Sequence, residues 1–219
     1  MNHLYVLAIA LMVIAMPSQA ENEWELIREE DGVRIYSRNS DDSPFIRVKA
    51  VSNARGSLAS FVALMNDVDN FKNWMHATKK STLIERSGPY TYTYYMHSDL
   101  PWPARDRDVV LNLSIHQDEQ TRAVYTQSTN LKGVKKKQEG IHRIESVKTS
   151  WRFVPKYDDR VKIVFTTKVM PNVQLPDWLA DRVYHIGPYH TIQNMKDMVE
   201  KKKYRQASVN LQQLKAPEK

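Results

Sequence analysis

The sequence predicts an α+β domain in which a curved antiparallel sheet wraps a long C-terminal helix and encloses a space between the two. Three observations carry this. Apolar and polar residues alternate in short segments through most of residues 33–169, the period of half-buried strands. The alternation is interrupted near residues 58–75, where apolar positions recur at three- and four-residue spacings. From Pro176 onward the period is helical again and stays so to about Arg205.

Ahead of the domain, Leu4 to Ala15 is continuously apolar and is followed by Met16-Pro17-Ser18-Gln19-Ala20. The run is shorter than the roughly 18–20 residues that span a bilayer. Ser18 and Ala20 supply the small residues a signal peptidase needs, so residues 1–20 read as a signal peptide cleaved after Ala20. The expected location is periplasmic or secreted. Met1-Asn2-His3 lacks Lys and Arg, which keeps an uncleaved anchor as the alternative.

Within the domain, expected over residues 21–205, Val33 and Ile35 alternate with Arg34 and Tyr36 as a strand in the segment Trp24 to Arg38. Phe45 to Val51 alternates again, with Ile46, Val48 and Ala50 opposite Arg47 and Lys49, and Asp41-Asp42-Ser43-Pro44 supplies a hairpin turn. Ser57 is placed to cap a helix bearing Leu58, Phe61, Val62, Leu64 and Met65, and a second helical turn is expected over Phe71 to Met75. A strand meander follows near Leu83–Glu85, Tyr90–Ser98, Asp108–His116, Ala123–Thr129, His142–Val154 and Val161–Val169. Pro176-Asp177-Trp178 opens the last helix, with Pro in the first turn and Asp at the positive end of the helix dipole. Its apolar face includes Trp178, Leu179, Val183, Ile186 and Ile192, and Gly187-Pro188 predicts a kink or a break. Residues 206–219 form a polar tail.

Composition limits the function. With 42% hydrophobic and 26% charged residues the chain fits neither wholesale disorder nor a multi-span membrane protein. The absence of cysteine removes disulfides, thiolate metal sites, a Cys nucleophile and an acylated Cys anchor. The net charge of +7 lies wholly outside residues 1–20, which carry no charged side chain. For an exported protein the expected anionic partner is a membrane surface rather than nucleic acid, approached by Lys135-Lys136-Lys137 and Lys201-Lys202-Lys203. Solvated surface charge is the plainer reading of both runs.

Several residues point to a ligand. Val109, Leu111, Leu113 and Ile115 share one strand face, and two residues further back Arg107 falls on that same inward face. A guanidinium there needs a carboxylate, main-chain carbonyls or the polar head of a ligand. Tyr92, Tyr94 and Met96 share another face, where phenols suit an amphiphile's cavity or the packing of sheet against helix. Trp102, held between Pro101 and Pro103, is either a core corner or an indole at a membrane-facing mouth.

The run Pro101-Trp102-Pro103-Ala104-Arg105-Asp106-Arg107-Asp108-Val109-Val110 resembles the P-x-P-x-x-x-R-D-[FYV]-V signature of the START (StAR-related lipid transfer) domain family. Gln174-Leu175-Pro176-Asp177-Trp178-Leu179 is similar to the opening of that family's C-terminal helix, and Gly32-Val33-Arg34-Ile35-Tyr36 to its first strand. The resemblance implies a helix-grip fold with a hydrophobic tunnel for one lipid. It sets Trp102 on a gating loop that touches membrane and Arg107 at the cavity's polar end. The expected ligand-facing set is Arg107, Tyr92, Tyr94, Met96, Trp102, Asp108, Trp178 and Val183.

The expected function is binding a single lipid, whether phospholipid, sterol-like or fatty acyl, and carrying it between membranes or to a partner. The chain is expected to act as a monomer without cofactor or metal. No nucleophile elbow, H-E-x-x-H helix or Gly-rich phosphate loop occurs. An enzyme is therefore not expected. A cofactor-independent, polyketide-cyclase-like enzyme is one alternative, built on Arg107 and nearby Tyr or His residues. The other is a module that recruits a partner only when its cavity is filled.

Overall fold

The computed structural model describes residues 23–38, 43–170 and 176–211. The expected signal peptide, Asp41 and Asp42 of the first turn, Gln174-Leu175 and residues 212–219 lie outside the described residues. The rest forms a ten-stranded sheet and a C-terminal helix, the helix-grip arrangement.

The first strands are β1 (Glu25–Glu30), β2 (Val33–Ser37) and β3 (Ile46–Arg55). Trp24 to Arg38 thus holds a hairpin rather than one strand. Asp31 and Gly32 turn it with φ of 45° and 71°, both in the left-handed region that tight hairpins favour. β1 lacks alternation because it is a polar edge strand in which Ile27 alone packs on the core. Helix α1 (Leu58–Asn66) starts where expected: the Ser57 side chain accepts the Ser60 N–H at 3.1 Å. A 3₁₀ turn over Val68–Asn73 takes the place of the expected second helical turn.

The meander comprises β4 (Thr78–Gly88), β5 (Thr91–Ser98), β6 (Arg107–Gln117) and β7 (Val124–Asn130), then β8 (His142–Arg143), β9 (Val147–Pro155) and β10 (Arg160–Val169). The expected strand over His142–Val154 is split, because β8 pairs in parallel with the start of β6 while β9 pairs antiparallel with β7 and β10. The sheet order is β1-β2-β3-β10-β9-β7-β6-β5-β4, with β8 off this path.

The C-terminal helix runs as α2 (Asp177–Asp181), a π turn over Arg182–Ile186, α3 (Gly187–Glu200) and a short α4 (Lys202–Arg205). Gly187-Pro188 does not break it. Pro188 has no N–H to give, and the Gly187 N–H reaches back to the Arg182 carbonyl, so the wider π turn absorbs the mismatch while the backbone stays helical. Ile192, Met195 and Val199 are buried among the residues of β2, β3 and α1, beside the stacked rings of Phe61 and Phe153. Beyond α4, Val209 and Leu211 pack on the core, and the Asn210 carbonyl accepts the Tyr90 hydroxyl at 3.2 Å.

Candidate functional site

The inner sheet face and the helix do not meet everywhere. Toward the N-terminal half of the helix they leave a cavity of about 840 Å³, within the range of small-molecule sites. The sheet contributes Met96, Thr149, Phe165, Thr167 and Val169 as one wall. Val183, Tyr184, Gly187, Pro188 and Thr191 form the roof, and Leu100, Pro101, Ile141 and Ile144 close the side from two loops.

Arg107 lines this cavity, at the inner edge of β6, as strand alternation requires. Its Nη1 donates to the main-chain carbonyls of Arg105 and Asp106, so among the described residues no carboxylate neutralises it through a direct bond. Burial pulls the guanidinium below its ordinary value, while Tyr184 and Asp106 act in the opposite sense. Burial pushes the Tyr184 phenol up to about 12, with Arg107 as the counteracting charge. The cavity therefore sets the Arg107 cation and a neutral hydroxyl donor among mostly apolar walls, with Lys137, Arg143, Arg182, Asp99 and Glu145 also on its lining, a setting for an amphiphile with an anionic or polar head.

Met96 and Val183 also line the cavity, but the other expected residues do not. Tyr92 and Tyr94 share the inner face of β5 with Met96, yet they sit where helix and 3₁₀ turn pack down on the sheet. Tyr92 donates to the Met65 carbonyl, and Tyr94 stands edge-on to Phe71 at 5.5 Å. Asp108 alternates to the far side of β6, where its oxygens hold Arg143 Nε at 2.6 Å and Nη2 at 2.9 Å. It is a buried partner of β8 and does not line the cavity. Trp102 is 90% exposed one residue beyond the cavity-lining Pro101, and Trp178 is 50% exposed in α2, one turn ahead of the roof. Both indoles face outward near the mouth, because a turn between two prolines and a first helical turn have nothing packed over them.

His76 lies in the cavity wall and was not legible beforehand. Its N–H donates to Thr191 Oγ1 at 3.1 Å, its ring stacks on His190 at 5.0 Å, and it passes close to Gly187. A Cβ at Gly187 would make ordinary van der Waals contact with that ring at 3.6 Å and with the Arg182 carbonyl at 3.4 Å. Burial holds His76 below the ordinary imidazole value, assisted by His190 and Arg182. Phe165, Thr167 and Val169 had a signal: they continue the alternation of Val161 and Ile163 along β10.

Beside the mouth, His97 Nε2 and Asp106 Oδ2 lie 2.7 Å apart and neither residue lines the cavity. Burial pushes the Asp106 carboxyl up, but bonds from His97, the Leu100 N–H and Lys79 outweigh it and hold the group below the usual carboxylate range. The pair fastens the loop over residues 99–106 to β5. Among the described residues no group of three or more His, Cys, Asp or Glu is placed to hold a metal.

Comparison with known proteins agrees with this architecture. An uncharacterised protein of Pseudomonas aeruginosa is 28% identical over 197 residues, covering 90% of this chain and 96% of its own. The crystal structure of a STAR-related lipid transfer protein fragment from Xanthomonas axonopodis superposes with a TM-score of 0.73 at 22% identity, over 81% of this chain and 99% of that one. Human StAR-related lipid transfer protein 5 superposes with a TM-score of 0.67 at 14% identity, over 81% and 86% of the two chains. Residues 5–205 match the START domain, and the chain belongs to that family.

Proposed function

We propose that this protein holds one hydrophobic lipid in its cavity and carries it between membranes or to a partner, without chemical turnover. The carrying observation is the cavity itself: mostly apolar walls in which Arg107 and Tyr184 stand together among a minority of polar and charged side chains. At roughly 30 Å³ for each water-sized group, 840 Å³ accommodates about 28 heavy atoms. That suits a single acyl chain with its head or a polycyclic lipid. A diacyl phospholipid is larger and requires the roof to move. Two structurally similar proteins are named lipid transfer proteins, which supports the reading.

In this reading the protein works as an exported monomer, in line with the apolar leader. Exposed Trp102, with Lys135, Lys136 and Lys137 on the loop before β8, meets an anionic membrane at the mouth. The half-helix bearing Val183 and Tyr184 lifts to admit cargo.

Native and denaturing mass spectrometry of protein purified from its own host tests the proposal. The expected result is one lipid class released at one molecule per chain. Protein that is empty and takes up no fatty acid, sterol or phospholipid from vesicles would overturn it. Under the same conditions Trp102→Ala is expected to load normally but transfer slowly between vesicles.

A further inference from the structure

A second feature lies on the opposite side of the sheet from the cavity. The contiguous strands β2, β3, β10 and β9 turn alternate residues outward, and those positions hold a set of cations. β2 presents Arg34, and β3 presents Arg47, Lys49 and Arg55. β9 adds Lys148 and Arg152, and β10 adds Arg160, Lys162 and Lys168. No Asp or Glu occurs anywhere in these four strands. Register brings the charges side by side: Arg47 lies opposite Lys168, which lies opposite Lys148.

Among the described residues none of these cations makes an ion pair with a carboxylate. Aromatic faces hold some of them instead. Lys49 Nζ lies 4.6 Å from the Trp24 ring and 4.4 Å from that of Tyr36, and Lys168 Nζ lies 4.1 Å from that of Phe45. Acidic residues keep to the margins, at Glu25, Glu29 and Glu30 on β1 and at Asp158 and Asp159 between β9 and β10. Apart from Arg34, which register sets opposite Glu29, these like charges gather without facing carboxylates and repel one another, an arrangement that favours an external anion. The Lys49 ammonium shows this: burial pulls it below its ordinary value, and Arg38 and Lys162 add to the effect.

We infer that this outer face is a docking surface for an anionic lipid bilayer, separate from the cavity mouth. Three observations select the partner. The charges spread in two dimensions, over four strands that span about 15 Å across at the usual strand spacing, as headgroup charge does in a membrane. Val51, Val164 and Val154 on the same face are half-buried, so the face offers no exposed apolar anchor of the kind a protein partner uses. The rings of Trp24, Tyr36 and Phe45 are occupied by cations rather than open for bases to stack on. The apolar leader further favours a partner outside the cytoplasm. This inference is independent of what the cavity carries.

The test is sedimentation of the full chain with phosphatidylcholine vesicles that contain or lack phosphatidylglycerol. It compares wild type, the outer-face variant Lys148→Glu/Arg152→Glu/Lys168→Glu and the mouth variant Lys135→Ala/Lys136→Ala/Lys137→Ala. All three substituted outer-face side chains are exposed, so circular dichroism, melting temperature and retained cargo should match wild type. The outer-face variant should lose affinity for the anionic vesicles by roughly tenfold or more, and the mouth variant should lose less. Undiminished binding by the outer-face variant sinks the inference. So does a loss confined to the mouth variant, or tighter wild-type binding to an oligonucleotide or an acidic polypeptide than to the anionic vesicles.

Discussion

The two halves of the C-terminal helix do different work. In the second half, Ile192, Met195 and Val199 are at most 1% exposed and press into β2, β3 and α1, leaving no room for a ligand. In the first half, Trp178 faces solvent, Val183 and Tyr184 roof the cavity, and a π turn replaces regular winding. The same division recurs within β6, where Asp108 is neutralised by Arg143 and its neighbour Arg107 lines the cavity with main-chain carbonyls as its bonded partners. Solid packing marks the half of the helix that holds the frame, and the cavity lies where packing is loose and Arg107 has no carboxylate partner in a direct bond.

Five substitutions would break or sharpen this contrast. Asp108→Asn is expected to cost the most, on the order of 3–5 kcal/mol, because it leaves the Arg143 guanidinium uncompensated beside a residue only 1% exposed. Denaturant titration measures it. A loss under about 1 kcal/mol would mean that the pair is not holding β8 to β6. Ile192→Ala should cost about 2–5 kcal/mol, whereas Val183→Ala in the roof should cost no more than about 1 kcal/mol. Equal losses would remove the distinction between the two half-helices.

Arg107→Met should leave stability nearly unchanged while weakening uptake of an anionic single-chain lipid by roughly tenfold, the scale of one charge-assisted hydrogen bond. Titration with a fluorescent fatty acid reads this. Unchanged affinity would move the headgroup elsewhere.

The smallest effect concerns pH. Because folding holds His76 below the ordinary imidazole value, the unfolded chain binds the proton more readily. The stability tied to this group is therefore full above about pH 6.5 and is lost as pH falls toward the lowered value in the folded state. His116, also held low by burial, adds to the same slope. His76→Gln should flatten, without abolishing, the fall in melting temperature between about pH 7 and 5. An unchanged slope would exclude His76 as a contributor.

Local pattern made much of this legible. The Ser57 cap, the alternation of β3, β5, β6 and β10 and the helical spacing after Pro176 each depend on residues close together in the chain, and each element formed where those residues stand. Strand β1 escaped notice because an edge strand with few buried positions carries no alternation. Position on the inner face was likewise readable for Tyr92, Tyr94, Met96 and Arg107, since alternation assigns a side. Whether that side meets a ligand was not.

By itself the sequence determined the fold class, the order of the elements, and the motif around Arg107 and Asp108 that resembles the START signature. Tertiary structure alone decided that Met96 and Arg107 border a cavity while Tyr92 and Tyr94 are packed under, because the gap depends on how far the helix stands from the sheet at each point. It also decided that Asp108 belongs to Arg143, 35 residues away, and that His76 meets Thr191 and His190, contacts no local spacing encodes. The cationic outer face needed both: the residues were visible strand by strand, but only the sheet order laid β2, β3, β10 and β9 side by side.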